Sequence, residues 1–356
     1  MKKINIAGFE IIKLKKLLKI LNVNYFHGIQ ILKWIHKKGV CNFILMSNIS
    51  KLVKYKLFNL CIIKFPIIEK EEISSDGTIK WLFKISKNNY IESVYMLEEN
   101  RITLCLSSQI GCVLNCSFCN TGKHGFNRNL YSSEIVGQLY VIKKRLYYLY
   151  INNIIFSFNE ISNIVIMGMG EPLLNFNNLS SFLLLIRNNS FYNISKKHII
   201  ISSAGIIPGI HDLYIYNDVS LAISLHATND LLRTKLMPIN KKYNINMLFK
   251  FFCLYKNVLF DAKITIEYIM LKGINDYNYY AYKLIKLLND DIYKINLIQF
   301  NIIKNVNYVS SLMERIYCFQ NILKQGGLIV TIRKIKGLDI NASCGQLFGK
   351  FVNKKI

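Results

Sequence analysis

The sequence predicts an α/β fold arranged as a partial (β/α) barrel, preceded by a small N-terminal accessory helical domain and a β-meander connection. Three observations point there. From residue 101 onward strand-like and helix-like stretches alternate, and repeated βα units build a parallel sheet. No GxGxxG follows the first of these strands, which argues against a doubly wound dinucleotide fold. The short motifs fall at the C-terminal ends of several different strands, as side chains do at a barrel mouth.

Taken in order, residues from about 8 to 60 read as amphipathic helices: IIKLKKLLKIL, then FHGIQILKWIHKKG closing at Gly39, then ISKLVKYKLFNL. The pattern changes after residue 67. Asp76-Gly77 marks a hairpin turn, Ile79, Trp81, Phe83 and Ile85 alternate with mostly polar neighbours, and YIESVYML and ITLCLSS follow as strands. No Pro- or Gly-rich linker separates this meander from the alternating region, so two units are expected, 1–95 and 96–356. In the second, strands are expected at 102–107, 163–168, 197–203, 219–225, 263–270, 294–300 and 328–333.

At 356 residues, with 52% hydrophobic residues, the chain has ample core for this plan. The formal charge of +25, from 46 Lys+Arg against 21 Asp+Glu, suits a polyanionic partner. About half of that argument is discounted, because the chain is rich in Lys, Asn, Ile and Tyr and has only 4 Pro, as AT-biased codon usage produces. Glu10, Lys13, Lys15, Lys16 and Lys19 interrupt any signal-peptide core, and no uncharged apolar run reaches spanning length, so no membrane is expected.

The 9 cysteines do not read as a disulfide scaffold in so long a chain. Cys112, Cys116 and Cys119, spaced CxxxCxxC within GCVLNCSFCNTGKHGFNRN, read as metal ligands. A structural zinc site wants four protein ligands, whereas three cysteines on an Fe-S cluster leave one iron open. A zinc knuckle completed by His124 is the alternative. Cys41, Cys61, Cys253 and Cys318 are expected to be buried and inert.

Strand alternation sorts the remaining candidates. In VSLAISLHA, Ser220, Ala222, Ser224 and His226 share the small, polar face expected to look into the barrel. In ITLCLSS, Thr103, Cys105 and Ser107 face inward. Cys344 follows the last strand, and the first and last strands of an open barrel lie close, so Cys105 and Cys344 are expected to flank one substrate. Gly168 and Gly170 in MGMGEP let backbone approach a ligand, and Glu171 can accept hydrogen bonds from an ammonium.

The segments TLCLSSQIGC and NTGKHGFNRNL around the cysteines, with MGMGEPLLN (167–175), SLHA (224–227) and ASCGQL (342–347) in this order, resemble the radical SAM RNA adenine-C2 methyltransferases of the RlmN family. The resemblance implies a 4Fe-4S cluster on Cys112, Cys116 and Cys119, with S-adenosyl-L-methionine held by Gly170, Glu171, Ser202, Ser224, Leu225, His226 and Asn301. SSAG stands where STSG is commoner, which leaves Ser202 and Ser203 both open. Asn301 is followed by Ile-Ile-Lys-Asn instead of the usual Pro-Phe-Pro-Gly. The catalytic residues implied are Cys344 as methyl carrier, Cys105 as the thiol that releases the base adduct through a transient disulfide, and Glu92 as proton acceptor.

The same resemblance implies as substrates adenines of 23S rRNA and of tRNA, with the N-terminal helices gripping RNA. Lys123, His124 and Arg128, just beyond the three cysteines, either meet RNA phosphate or are solvated single charges. The resemblance further implies a reductant protein such as flavodoxin or ferredoxin. An oxygen-sensitive cluster and free thiols imply a reducing cytoplasm. Carbon-8 methylation by the sister group and a non-catalytic zinc RNA-binding module are the alternatives.

Overall fold

The computed structural model describes residues 3–98, 101–155, 161–259, 264–303 and 306–351. Three helices open the chain: α1 (Ile11–Ile20), α2 (His27–Leu32), which widens into a π-type turn over Lys33–Lys37, and α3 (Lys51–Leu60). Glu10 caps α1 by accepting the Lys13 amide at 2.7 Å, and Ser50 caps α3 at Val53. Leu14, Leu17 and Leu18 share one helical face and bury against Ile31, Leu32, Ile35 and Leu57. A short parallel pairing of Ile4–Asn5 with Cys61–Ile62 closes the module.

The meander is β1 (Ile67–Ile73), β2 (Ile79–Ser86) and β3 (Asn89–Glu98), all antiparallel, and Gly77 turns the first hairpin at φ +79°. β3 pairs on its other edge with β4 (Arg101–Cys105), where the sheet changes from antiparallel to parallel. From β4 onward come β7 (Asn163–Ile166), β8 (Ile199–Ser203), β9 (Ser220–Ser224), β10 (Ile264–Met270), β11 (Tyr293–Gln299) and β12 (Ile329–Ile332), side by side in chain order and parallel. Each expected strand is present with its ends within two residues of those read from the sequence, residue 263 lying outside the described residues.

Meander and parallel strands thus form one continuous sheet, and its two edges do not pair with each other among the described residues. The barrel is partial. Helices α5 (Ser132–Ile151), α6 (Phe176–Arg187), α7 (Ile207–Tyr216), α9 (Ile245–Leu259), α10 (Asn278–Leu287) and α11 (Met313–Gln325) alternate with the strands, with the short α8 (Asp230–Leu236) between α7 and α9. The sequence did not signal the hairpin of β5 (Gln109–Gly111) with β6 (Phe126–Asn129), which brackets the cysteine loop and a one-turn helix α4 (Asn120–Lys123).

Helix α5 fixes the strand ends beneath the site. Gly137 lets it approach the entering chain, since a Cβ there would lie 2.3 Å from Pro66 Cδ. Next to it, Gln138 is fully buried. Its Oε1 accepts Ser93 Oγ at 2.7 Å and the Ser107 amide at 2.9 Å, and its Nε2 donates to the Ser107 carbonyl at 3.0 Å. Ser107 Oγ in turn donates to the Glu92 carbonyl and accepts the Met169 amide. One amide therefore ties the meander to the ends of β4 and β7. Replacing Gln138 by Leu strands at least two buried donors and should cost about 1–3 kcal/mol for each, read as a lower urea midpoint with unchanged slope.

Candidate active site

The cysteine loop leaves β5 at Gly111 and is pinned at several points. The Cys112 amide donates to the Gly125 carbonyl at 2.8 Å, the Ser117 amide to Leu236 at 2.9 Å, and Asn115 turns the chain at φ +50°. Cys112, Cys116 and Cys119 line one wall of a cleft of about 160 Å³, whose other walls carry Gly170, Glu171, Ser202, Ser203, Ser224, His226 and Cys344. Burial pushes the Cys112 thiol up to about 12 and the Cys116 thiol well above its ordinary range.

Among the described residues no three His, Cys, Asp or Glu side chains converge as ligands of a single metal ion. An Fe-S cluster takes each cysteine on its own iron and leaves one iron open, whereas a structural zinc ion wants a fourth protein ligand. His124, the fourth ligand of the zinc alternative, instead packs edge-on against Phe348 with ring centres 3.8 Å apart. The donor set fits an Fe-S cluster, and the rest of the cleft is a mostly apolar space into which a carboxylate, hydroxyls and an imidazole converge, as at a cofactor site.

Each strand end contributes to that lining. Gly170 sits at φ +97°, and a Cβ there would lie 2.4 Å from Gln109 Cβ, so only glycine brings this turn against the cysteine hairpin. Glu171 is 3% exposed; its Oε2 accepts the Ala204 amide at 2.8 Å and its Oε1 the Leu173 amide at 3.1 Å. Burial raises its carboxyl to about 7 despite these bonds. Each oxygen keeps a second lone pair for a ligand donor.

Ser202 and Ser203 both reach the cleft, but their hydroxyls differ. Ser203 Oγ accepts the Gly205 and Ile206 amides at the start of α7, whereas Ser202 Oγ donates to Glu267 Oε2 at 2.9 Å. His226, at φ +59°, is buried and pushed down to about 3, chiefly by burial and also by the nearby Arg233. Its Nδ1 accepts the Ile269 amide at 3.1 Å, which leaves the proton on Nε2. Leu225 is fully buried and takes no part in the lining; its amide bonds the Glu267 carbonyl.

A second, smaller chamber of about 30 Å³ adjoins the cleft and shares Met167, Ile298, Arg333 and Cys344 with it. Cys105 and Asn301 line this chamber and not the cleft. Asn301 Nδ2 donates to the Cys344 carbonyl at 3.2 Å, while its buried Oδ1 has no protein partner among the described residues. Burial, reinforced by the Cys344 sulfur, pushes Cys105 up to about 12. Glu92 is buried outside both spaces: its Oε2 accepts the Phe348 amide at 2.7 Å and its Oε1 lies 3.7 Å from Lys80 Nζ.

Comparison with known proteins decides the family. Residues 4–63 match the Ribosomal RNA large subunit methyltransferase N-terminal domain, and residues 106–279 match the Radical SAM superfamily. The Dual-specificity RNA methyltransferase RlmN of Buchnera aphidicola subsp. Baizongia pistaciae (strain Bp) is 45% identical, over 99% of this chain and 94% of its own. The chain belongs to the RlmN family. The protein of the same name from Wigglesworthia glossinidia brevipalpis is 47% identical, over 99% of this chain and 92% of its own. A crystal structure of a radical SAM methyltransferase from Sphaerobacter thermophilus superposes with a TM-score of 0.87 at 31% identity, covering 97% of this chain and 99% of that one. The chain is thus a radical SAM methyltransferase, with a 4Fe-4S cluster and S-adenosyl-L-methionine as its cofactors.

Several expectations are corrected. Of the four cysteines expected in the core only Cys61 is buried, whereas Cys41, Cys253 and Cys318 are exposed. Cys253 and Cys318 sit on helices α9 and α11, and helix periodicity alone decides which face a residue takes. Arg128 is not an open phosphate donor: its guanidinium grips Glu134 with two bonds of 2.7 and 2.8 Å. Residues that sequence reasoning missed include Glu267, Arg333, Gln109 and Arg233. Arg233 is fully buried, bonds the Ala204 and Leu225 carbonyls, and holds the wall behind Cys116.

This geometry has two measurable outcomes. After anaerobic reconstitution the native chain should carry about four irons with matching sulfide, and Cys116→Ala should bring iron and visible absorbance close to zero; a colourless native protein holding zinc would contradict the assignment. A thiol raised to about 12 is protonated at neutral pH, so alkylation of Cys105 should be slow at pH 7 and rise about tenfold per pH unit above it, followed by peptide mass spectrometry.

Proposed function

We propose that this enzyme methylates carbon 2 of adenine in RNA, with 23S rRNA and tRNA as its substrates, and that Cys344 carries the methyl group while Cys105 faces it across the target base. The observation that carries this reading is the placement of two thiols, remote in sequence, in one chamber that opens directly onto the cleft of the three cysteines. The names of the relatives, dual-specificity RNA methyltransferases, support the two RNA classes.

When bound, the cluster and S-adenosyl-L-methionine supply a methyl cation equivalent and a carbon radical. The chain's own residues do the rest. Carbon 2 of adenine is not nucleophilic, so the methyl group must first rest on a protein atom. Cys344, at the boundary of the two spaces, is placed to receive it as a thiolate. Once the base is joined to the Cys344 methyl carbon, the adduct must lose the carbon-2 proton and one electron, which the bound cluster would take back. Attack of the Cys105 thiolate on the Cys344 sulfur then breaks the sulfur–carbon bond. Its electron pair passes to the transferred carbon, and a proton from solvent completes the methyl group and releases the base. The two cysteines are left as a disulfide, which a reductant reopens.

Glu92 is proposed as the proton acceptor. It stands on the strand that lines the chamber through Val94 and Met96, and its Oε1 lies 3.7 Å from Lys80 Nζ. Its bond to Phe348 must yield for it to serve. On the cofactor side, Gly170, Glu171, Ser202, Ser224, Leu225 and His226 are proposed to hold S-adenosyl-L-methionine, Leu225 through its backbone. Asn301 would do so from the chamber side. An extruded nucleotide is required, because carbon 2 is shielded in a stacked helix.

The N-terminal unit, 1–95, is proposed to bind RNA and the unit 96–356 to perform the chemistry. No helix among the described residues is long and apolar enough to cross a membrane. The free thiols support a reducing cytoplasm, with flavodoxin or ferredoxin as the electron source.

Mass spectrometry of nucleosides from RNA treated with enzyme, S-adenosyl-L-methionine and a reductant should give 2-methyladenosine, and 8-methyladenosine instead would overturn the regiochemistry. Cys344→Ala should abolish product entirely. Cys105→Ala should trap a covalent protein–RNA species visible by denaturing gel, and normal turnover by that variant would remove Cys105 from the reaction.

A further inference from the structure

The cysteine loop has an outer side as well as an inner one. Cys112, Leu114, Cys116 and Phe118 line the cleft, whereas the residues between them turn away from it. Val113 is 54% exposed and Asn115 is exposed as well. Asn115 and Ser117 line a separate surface groove, which shares no residue with the cleft or with the chamber. Both are joined directly to Cys116 in the chain, so a ligand sulfur of the inner face stands one residue away from this groove.

The groove is held in shape and is basic. Gly122 lets α4 rest on the cysteine loop, since a Cβ there would lie 3.1 Å from Asn115 Cα and from the Cys116 amide nitrogen. That packing brings Lys123, the last residue of α4, to the groove. Lys235 of α8 lines it too, and Ser117 fastens the loop beside it: the Ser117 amide donates to the Leu236 carbonyl at 2.9 Å, and its hydroxyl lies 2.8 Å from the Tyr308 hydroxyl. Lys123 and Lys235 are both exposed, and no Asp or Glu is among the described residues of the lining.

A reducing electron has to reach the cluster from outside. On the inner side the way is taken, because S-adenosyl-L-methionine fills the cleft and the base is received in the chamber. The outer face of the loop is the short route that stays open while both are bound. RNA has less call on this groove, since the lysines that line the chamber itself are Lys334 and Lys336.

We propose that this groove docks an acidic one-electron carrier protein, with Lys123 and Lys235 pairing with its carboxylates and Asn115 to Ser117 as the point of electron entry. The inference rests on the reading, made above, that the reductant is a protein. In the step it serves, the reduced carrier loses one electron and the cluster gains it, and no bond in this chain forms or breaks. Two exposed charges around a small groove suit the weak, fast and salt-sensitive encounters of redox partners.

The test uses the reconstituted full-length enzyme with reduced flavodoxin, an acidic carrier, and follows bleaching of the cluster absorbance by stopped flow. Lys123→Glu combined with Lys235→Glu should slow reduction at least about tenfold at low salt and flatten its dependence on ionic strength. Photoreduced deazaflavin, a small uncharged donor, should reduce the variant at the wild-type rate. Carbodiimide should couple flavodoxin carboxylates to Lys123 or Lys235 of the native enzyme, located by peptide mass spectrometry. Flavodoxin reduction of the double variant at the wild-type rate would overturn the proposal, as would cross-links confined to other lysines. Loss of RNA affinity with flavodoxin reduction intact would give the groove to RNA and overturn it too. If the Glu variant does not fold, Lys123→Gln with Lys235→Gln should slow reduction about threefold, and no slowing decides against the proposal. Failure of the underlying reading looks different: deazaflavin would reduce the wild-type enzyme while neither flavodoxin nor ferredoxin did, which removes both.

Discussion

The loop that leaves the cluster cysteines is bonded directly to the loop that carries Cys344. The Asn120 amide donates to the Gly345 carbonyl at 2.8 Å, Asn120 Nδ2 to Gln346 at 3.2 Å, and Thr121 Oγ1 to Leu347 at 2.6 Å. These bonds come from the two residues immediately after Cys119, so the geometry of the three cysteines and the position of Cys344 are parts of one rigid unit. The far side of the Cys344 loop is fastened to the meander: Gly337 to Asp76, Asp339 to Ser74, Ile340 to Lys80 and Phe348 to Glu92. The proposed role of Cys344 as methyl carrier requires such fixing, because displacement of a catalytic group by about 1 Å can cost a hundredfold in rate.

Buried polar side chains under the site transmit that fixing to the sheet. Gln109 accepts the Glu171 amide at 2.9 Å and donates to Asn129 at 2.7 Å, so the cysteine hairpin and the Gly170 turn share one amide. Asn175 Nδ2 bonds the Ser108 and Leu130 carbonyls, both at 2.8 Å. These groups compensate backbone atoms left unpaired where strands end in a dry interior, a compensation that must be complete because an orphaned buried group is costly. The cofactor side of the enzyme is thereby rigid without disulfides.

Most of the architecture was legible in the sequence because it is written locally. Apolar runs such as IVI before MGMGEP and SLAIS before LHA identify buried strands by themselves, and CxxxCxxC identifies its chemistry by spacing. Cys105 could be turned inward by parity alone. What stayed hidden depends on partners from other strands. Nothing around Glu267 or Arg333 marks them, and their meaning arises only when β10 and β12 bring them beside Cys344. The same holds for Glu92, whose burial and bond to Phe348 join residues more than half the chain apart. Exposed Cys253 and Cys318 were misread because an average preference of the residue type outweighed the helix face on which each sits.

The unclosed sheet has a bearing on what can be served at its mouth. A fully sealed ring of strands would admit its target only end-on, through an opening the width of a small molecule. Here the last parallel strand and the outermost meander strand do not pair among the described residues, and the span between them is crossed by the segment 337–348 through its bonds to Asp76, Ser74, Lys80 and Glu92. The wall that carries Cys344 is therefore a loop, which can shift to receive a bulky target without breaking the strand ladder.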